Sequence, residues 1–161
     1  MHAVLLGIHI AAGSLGLLLG PIAMTAPKRP GRHTRAGLAY QGATAVLAVT
    51  AIGLAVFNWS ELWFLALIAV GTEAAALGGW WVQERRRPGW LPVHISLMCG
   101  SYISFVTALL VVNSNSIIAW ILPTIVGSPL IAWAASVAAT GRGSSHEVGL
   151  RRHGGAASRS R

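Results

Sequence analysis

The residues of this chain that could carry out chemistry are one acid and three of its six histidines, which lie within or beside long apolar runs. Glu73 is the only acid in the apolar run from Leu62 to Val82. A carboxyl group near the middle of a membrane span costs about 2.5 kcal/mol or more to insert, which makes such a residue a candidate functional site. His9 lies inside another apolar run. Because acids and imidazoles relay protons in membranes, we predict a proton relay or transport group at Glu73 and His9.

Depth in the membrane limits how Glu73 and His9 can interact. At ~1.5 Å per helical residue, the two side chains lie about 5 to 7 Å apart along the membrane normal. A direct hydrogen bond would need a tilted helix or a bridging water. The alternative interpretation is structural: a protonated Glu73 that bonds only to a neighbouring carbonyl or hydroxyl group.

His33 and His94 form a second candidate group, because His33 precedes the second apolar run and His94 opens the fourth, at the same expected face of the membrane. Tyr40 and Tyr102 follow them at helical spacing. Imidazoles on neighbouring helices can bind haem iron axially or share a metal ion. We predict a haem b or metal site with the two histidines as ligands and the two tyrosines beside the cofactor. In the alternative interpretation both histidines are only polar residues at the membrane interface.

Long helices are needed to position these residues. The chain has 161 residues, of which 54% are apolar and 10% charged, and its mean hydropathy is +0.62, which is typical of a membrane protein. About 20 helical residues cross a bilayer, whereas strands with open edges cannot be satisfied in lipid. We predict an all-α integral membrane bundle of five transmembrane helices, in the uncharged runs 4–26, 37–57, 62–82, 91–112 and 117–139.

The basic residues give the expected orientation. All twelve Lys and Arg residues lie between runs one and two, between runs three and four, or after run five. Five spans bring these segments to one face, which the positive-inside rule makes cytoplasmic, with the amino terminus outside. We therefore predict a multipass protein of the bacterial cytoplasmic membrane. Its net charge of +8 is assigned to contact with anionic lipid headgroups and not to nucleic acid.

The tryptophans give the same map, since indole rings collect at the two headgroup levels of a membrane. Three lie at the outer ends of their predicted spans and three at the inner ends: Trp59, Trp63 and Trp120 outside, and Trp80, Trp81 and Trp90 inside.

Domain organisation follows from the same runs. Residues 1–140 are predicted to form the transmembrane domain, and residues 141–161, rich in Gly, Ser and Arg, a basic and disordered cytoplasmic tail. In span one, Gly16 and Gly20 share a helix face with His9, which predicts close helix packing there. Pro123 and Pro129 predict a kinked or locally opened fifth helix.

A set of single residues occurs in a defined order along the chain. They are His9, Gly13 and Gly20-Pro21; Gly31-Arg32-His33, Arg35, Gly37 and Tyr40; His94, Met98, Ser101-Tyr102 and Thr107-Ala108; and Trp120, Pro123-Thr124 and Gly127. In this order they resemble the bacterial multipass membrane proteins grouped as domain of unknown function 2306. The resemblance runs from the first helix to the fifth. It implies a small helical membrane protein with histidines at these three positions, and it implies no function.

Three functions fit these residues. The leading prediction is a membrane redox protein that binds haem b or a metal through His33 and His94 and transfers electrons to or from quinone or another redox partner. The second is a proton-coupled small-solute transporter or channel that uses Glu73 and His9. The third is a non-catalytic membrane subunit, and a homo-oligomer is compatible with each. Motifs of soluble-substrate hydrolases and of covalent haem attachment do not occur.

Overall fold

The computed structural model describes residues 2–27, 31–114 and 116–157, and these residues form helices and no strand. This confirms the predicted all-α class. The helices are α1 (His2–Thr25), α2 (Arg32–Phe57), α3 (Trp59–Arg85), α4 (Trp90–Ser114) and α5 (Ile117–Ala157). Each of the five is long and apolar enough, at least in part, to cross a membrane.

The helices extend beyond the uncharged runs that predict them. α2 begins at Arg32 and α3 ends at Arg85. Charged side chains near the ends of a span reach headgroups and water, so the apolar run ends before the helix does. α5 is apolar only through Thr140 and continues to Ala157, within the segment for which a disordered tail is predicted. It also continues through both of its prolines, without the predicted opening.

Short connections make consecutive helices antiparallel. Only Asn58 separates α2 from α3, and its side-chain amide donates a 2.9 Å hydrogen bond to Glu61 in the first turn of α3. Arg86 caps the end of α3: its backbone is left-handed at φ 43°, and its N–H donates to the Val82 carbonyl oxygen at 3.1 Å. We call the end with the α1–α2 and α3–α4 connections the basic end, and the end with Asn58 the opposite end.

Helices α1 to α4 form a closed four-helix ring. α1 packs on α2, α2 on α3 and α3 on α4, and contacts between α1 and α4 complete the ring. α2 and α4 are therefore diagonal to each other. α5 lies outside the four-helix ring and packs on α4. Its Trp120 side chain also makes an aromatic contact with Phe64 of α3, with the two ring centroids 5.6 Å apart.

Small residues fill the interior of this bundle. Apart from Tyr40 and Phe105, every buried residue in the described ranges is alanine, glycine, serine or threonine. Many of the large apolar side chains are exposed instead, as at Leu67 and Trp133. Small residues at helix contacts with large apolar residues outside are typical of helices that pack in lipid.

The predicted glycine face of α1 is confirmed. A Cβ on Gly16 would lie 3.0 Å from the Phe105 ring of α4, and one on Gly20 would overlap the Tyr102 ring. On α3, a Cβ on Gly79 would lie 2.8 Å from Met98. These glycines let α4 approach α1 and α3 closely enough for its larger side chains to fill the centre of the ring.

Candidate functional site

Glu73 has a partner on the neighbouring helix, and that partner is Gln41. The amide Nε2 of Gln41 donates a 2.7 Å hydrogen bond to Oε1 of Glu73. The bond joins α2 to α3 well inside both apolar spans. It gives the acid a neutral donor and no basic counterpart, so the charge of an ionised carboxylate would be unbalanced here.

Two oxygens of this pair have no hydrogen-bond partner. Oε2 of Glu73 and Oε1 of Gln41 are both shielded from solvent, and no donor within the described residues reaches either atom. An unpaired buried oxygen costs about 1–3 kcal/mol, and more if it is charged. Both oxygens can therefore accept a further hydrogen bond, and a proton on the carboxyl group or a water molecule would supply a donor.

Thr44 adjoins the same carboxyl group. Its hydroxyl proton is already committed to its own helix, because Oγ1 donates to the carbonyl oxygens of Tyr40 at 3.1 Å and Gln41 at 2.9 Å. Thr44 is thus the second polar side chain, after Gln41, that lies beside this carboxyl group.

His9 does not share a hydrogen bond with Glu73. Its Nδ1 lies 3.0 Å from Oγ1 of Thr50. Along α2, Thr50 is nearer than Gln41 to the opposite end, where Asn58 lies. The predicted Glu73 and His9 group is thus two separate hydrogen-bonded pairs, each formed with α2. The physical reason is depth, since the two side chains start at different levels and each meets a polar residue of α2 at its own level.

A cavity of about 310 Å³ lies between helices α1 to α4 on the side of the opposite end. We call it the four-helix cavity. Its wall is mainly Leu, Ile and Ala, and its polar side chains are His9, Ser14, Thr44, Thr72 and Asn113. The volume is at the lower end of the range for ligand pockets. Thr44 lines the cavity and also adjoins Glu73, so it connects the cavity with the buried acid.

Tyr40 and Tyr102 are anchored in the centre of the ring. The Tyr40 hydroxyl lies 3.0 Å from Oγ of Ser101 across the diagonal between α2 and α4, and Ser101 in turn donates to the Met98 carbonyl oxygen at 2.8 Å. Tyr40 must therefore be the donor in the first bond. Tyr102 donates to the Leu17 carbonyl oxygen of α1 at 3.1 Å. Both tyrosines thus have a structural role in joining α4 to α1 and α2.

His33 and His94 make matching contacts with two different helices. Nδ1 of His33 lies 2.8 Å from the Ala23 carbonyl oxygen of α1, and Nδ1 of His94 lies 2.8 Å from the Gly79 carbonyl oxygen of α3. A carbonyl can only accept, so Nδ1 carries the proton in both rings. In a neutral imidazole of this tautomer, Nε2 is the nitrogen through which the ring would bind a metal.

The relation between these two histidines differs from the predicted one. They lie on diagonal helices and not on neighbouring ones. Neither belongs to the wall of the four-helix cavity. Across the described part of the chain, no group of three or more His, Cys, Asp or Glu side chains is arranged to hold a metal ion. Binding of haem or metal by His33 and His94 stays a prediction.

Sequence reasoning missed Gln41 and Thr50 as the partners of the acid and of His9. One signal was present for Gln41. Glu73 and Gln41 are the only Asp, Glu, Asn, Gln, Lys or Arg residues within the five uncharged or nearly uncharged runs, and they lie in consecutive spans at similar depth. No comparable signal marks Thr50, because threonine is common in these helices.

No family model, curated protein or solved structure matches the chain. The resemblance to the domain of unknown function 2306 proteins therefore stays a prediction, and the geometry of the site carries the functional argument.

Proposed function

We propose that this chain is a proton-coupled small-solute transporter or channel of the bacterial cytoplasmic membrane, with Glu73 as the residue that takes up and releases the proton. The observation that carries the proposal is the Gln41–Glu73 pair, with two buried oxygens that lack a donor. A pair with unpaired oxygens changes its hydrogen bonding whenever a proton arrives or leaves. That is the property required of a coupling site.

Orientation is part of the same proposal. The amino terminus lies outside and the basic end faces the cytoplasm, as the distribution of Lys and Arg favours. In this orientation the four-helix cavity lies in the outer half of the protein and Glu73 lies between it and the cytoplasm. Anionic headgroups would contact Arg85, Arg86 and Arg87 on the inner side.

The path between the cavity and the acid runs through Thr44. Its side chain lies beside the Glu73 carboxyl group and also lines the cavity. His9 lies on the far wall of the cavity and can exchange a proton with a solute or water held there. A proton would thus pass between His9 and Glu73 only through the contents of the cavity. This coupling requires that the cavity be filled when Glu73 changes its protonation state.

The test is a flux assay in proteoliposomes with an imposed pH gradient. Glu73→Gln keeps a side chain that accepts from Gln41 but cannot ionise, so it should abolish proton-driven flux while the protein still folds. Glu61→Gln is the matched control, since Glu61 is an exposed acid in the first turn of the same helix, and it should retain flux. Full flux in Glu73→Gln would overturn the assignment of Glu73, and flux lost equally in both variants would point to an effect on folding.

The second candidate function is a redox protein with haem b held by His33 and His94. One observation favours it: both rings give their Nδ1 proton to a backbone carbonyl, which orients Nε2 as the ligand atom. Haem would supply one-electron chemistry at that position. Their diagonal placement would put the group inside the ring near the basic end.

An absorbance spectrum separates the two candidates. Protein made with ample haem should show a Soret band that is lost in His33→Ala and His94→Ala and kept in His2→Ala. A colourless, metal-free protein would overturn the redox candidate. If Glu73→Gln, His33→Ala and His94→Ala all leave flux, spectrum and stability unchanged, a non-catalytic subunit is the better description.

A further inference from the structure

We propose that the four-helix cavity binds a small apolar molecule with a single hydroxyl group, an alcohol or a phenol, and that the hydroxyl donates to Nε2 of His9. The inference rests on the proposed transport function only in naming this molecule as the solute; binding itself does not depend on transport.

The acceptor is assigned from the hydrogen bonds of Thr50. Oγ1 of Thr50 donates to carbonyl oxygens of its own helix, at 2.8 Å to Val46 and 3.0 Å to Leu47. A hydroxyl has one proton, so Thr50 cannot also donate to His9. The 3.0 Å contact between Thr50 and His9 is therefore donated by Nδ1–H of the imidazole, and we assign the hydrogen bond of His9 to the adjacent Leu47 backbone to the same N–H. In the neutral ring Nε2 is left as an acceptor, on a residue that lines the cavity.

The other polar groups of the wall also favour a donor. The hydroxyls of Thr44 and Thr72 donate to carbonyl oxygens within their own helices, so both offer oxygen acceptors to the cavity. The Asn113 amide donates to the Leu109 carbonyl oxygen at 2.7 Å. Ser14 can adapt to either role. A ligand that brings a proton thus finds several acceptors in this cavity, whereas one that brings only acceptors depends on Ser14 and on the second N–H of the Asn113 amide.

The wall also selects against charge. With His9 neutral, none of the lining side chains is charged, and most are aliphatic, with Phe105 at the α4 side. An ion in such a wall would lose its hydration without an opposite charge in return. An apolar body of ligand size would instead displace poorly held water and contact Leu, Ile and Ala side chains. These two features together describe an uncharged, mostly apolar molecule with one donor.

A matched pair of probes tests the hydroxyl. 2-Naphthol and 2-methoxynaphthalene share an apolar body, but only the first can donate. Each is measured by equilibrium dialysis against the full chain in nanodiscs at a fixed pH near neutral, with empty nanodiscs subtracted. We expect saturable binding of 2-naphthol at one per chain, about three- to tenfold tighter than that of 2-methoxynaphthalene, because one neutral hydrogen bond separates them. Absence of saturable binding above empty nanodiscs would overturn the proposal.

Two kinds of variant place the probe in the cavity. His9→Phe should bring the affinities of the two probes together. Ala51→Leu, which adds volume to the cavity wall, should weaken both, whereas Ala39→Leu on the exposed face of the same helix should weaken neither. Equal affinities in the unmodified protein, or a preference for 2-naphthol that survives His9→Phe, would overturn the hydroxyl assignment and leave a cavity for lipid acyl chains only. Binding that persists while proton-driven flux is absent would contradict the transport proposal alone.

Discussion

Gln41 of α2 and Glu73 of α3 are joined by a 2.7 Å side-chain hydrogen bond inside the apolar spans of both helices. The bond uses one donor of the amide and one oxygen of the acid, and it leaves one oxygen on each residue unpaired. The pair thus stabilises the contact between α2 and α3 and at the same time keeps an open position for a proton. Its energetic and functional roles can be measured separately.

The energetic role is tested by a double-mutant cycle of Gln41→Leu and Glu73→Leu. Unfolding by SDS in mixed micelles should give a coupling energy of about 0.6 kcal/mol and at most ~1.7 kcal/mol, since hydrogen bonds between membrane helices are modest. Each single variant should lower the free energy of unfolding by more than the lost hydrogen bond alone, because it leaves the partner side chain buried and unpaired. A cycle of Glu73→Leu with Thr107→Val, whose hydroxyl bonds within α4, should show no coupling. Coupling of similar size in both cycles would contradict a specific pair.

Close packing of α1 against α4 makes a second prediction. Gly20→Ala places a methyl group where the Tyr102 ring lies. The hydroxyl of the same tyrosine donates to the Leu17 carbonyl oxygen, so a displaced ring would also lose this bond. The free energy of unfolding should fall by about 1–3 kcal/mol, as expected for overpacking. Gly7→Ala, on the same helix with nothing within 4 Å of its Cβ, should be neutral or slightly stabilising. An equal loss of stability in both variants would mean that helix propensity, and not the contact with the Tyr102 ring, determines the effect of the substitution.

The left-handed residue that caps α3, Arg86, gives a third prediction. Arg86 has φ 43°, a conformation that costs a residue with a Cβ about 1 kcal/mol or more relative to glycine. Arg86→Gly should therefore raise the free energy of unfolding by about 0.5–1 kcal/mol, even though it removes the guanidinium that lies 5.9 Å from the Trp90 ring. Arg87→Gly, the neighbouring arginine with negative φ, should bring no gain.

Orientation can be tested by labelling single cysteines. In a Cys99→Ala background, Ser60→Cys near the α2–α3 connection should react with a membrane-impermeant maleimide added to intact spheroplasts. Pro88→Cys in the α3–α4 connection should react only after permeabilisation. The reverse pattern would invert the proposed topology, and labelling of both in intact cells would contradict the five-span arrangement.

Much of the fold could be predicted from hydropathy because lipid leaves few alternatives to long apolar helices. The runs beginning at Gly37 and Leu62 each lie within one helix of the structure, and the close contact at Gly20 follows from its spacing with Gly16. The helix ends could not be predicted as well, because charged residues such as Arg32 and Arg85 end an apolar run without ending a helix.

The site was harder to predict because hydrogen-bond partners depend on helix rotation. Glu73 and His9 were predicted to form one proton-relay group, yet each forms a hydrogen bond with a residue of α2 that hydropathy does not distinguish. Similarly, the shared depth of His33 and His94 gave no information on which helices face each other. The sequence pattern predicts the depth of a residue in the membrane well, but it predicts the position of that residue around the helix axis poorly. Which side chains become hydrogen-bond partners depends on that rotational position.

The position of α5 has a consequence for how the protein is made. The ring is closed by α1 to α4, and α5 packs outside it on α4. As the chain leaves the ribosome, every helix that surrounds Glu73 and the four-helix cavity is synthesised before α5 begins at Ile117. Assembly of the ring in the bilayer therefore need not wait for the last helix, which can dock onto a finished surface as translation ends.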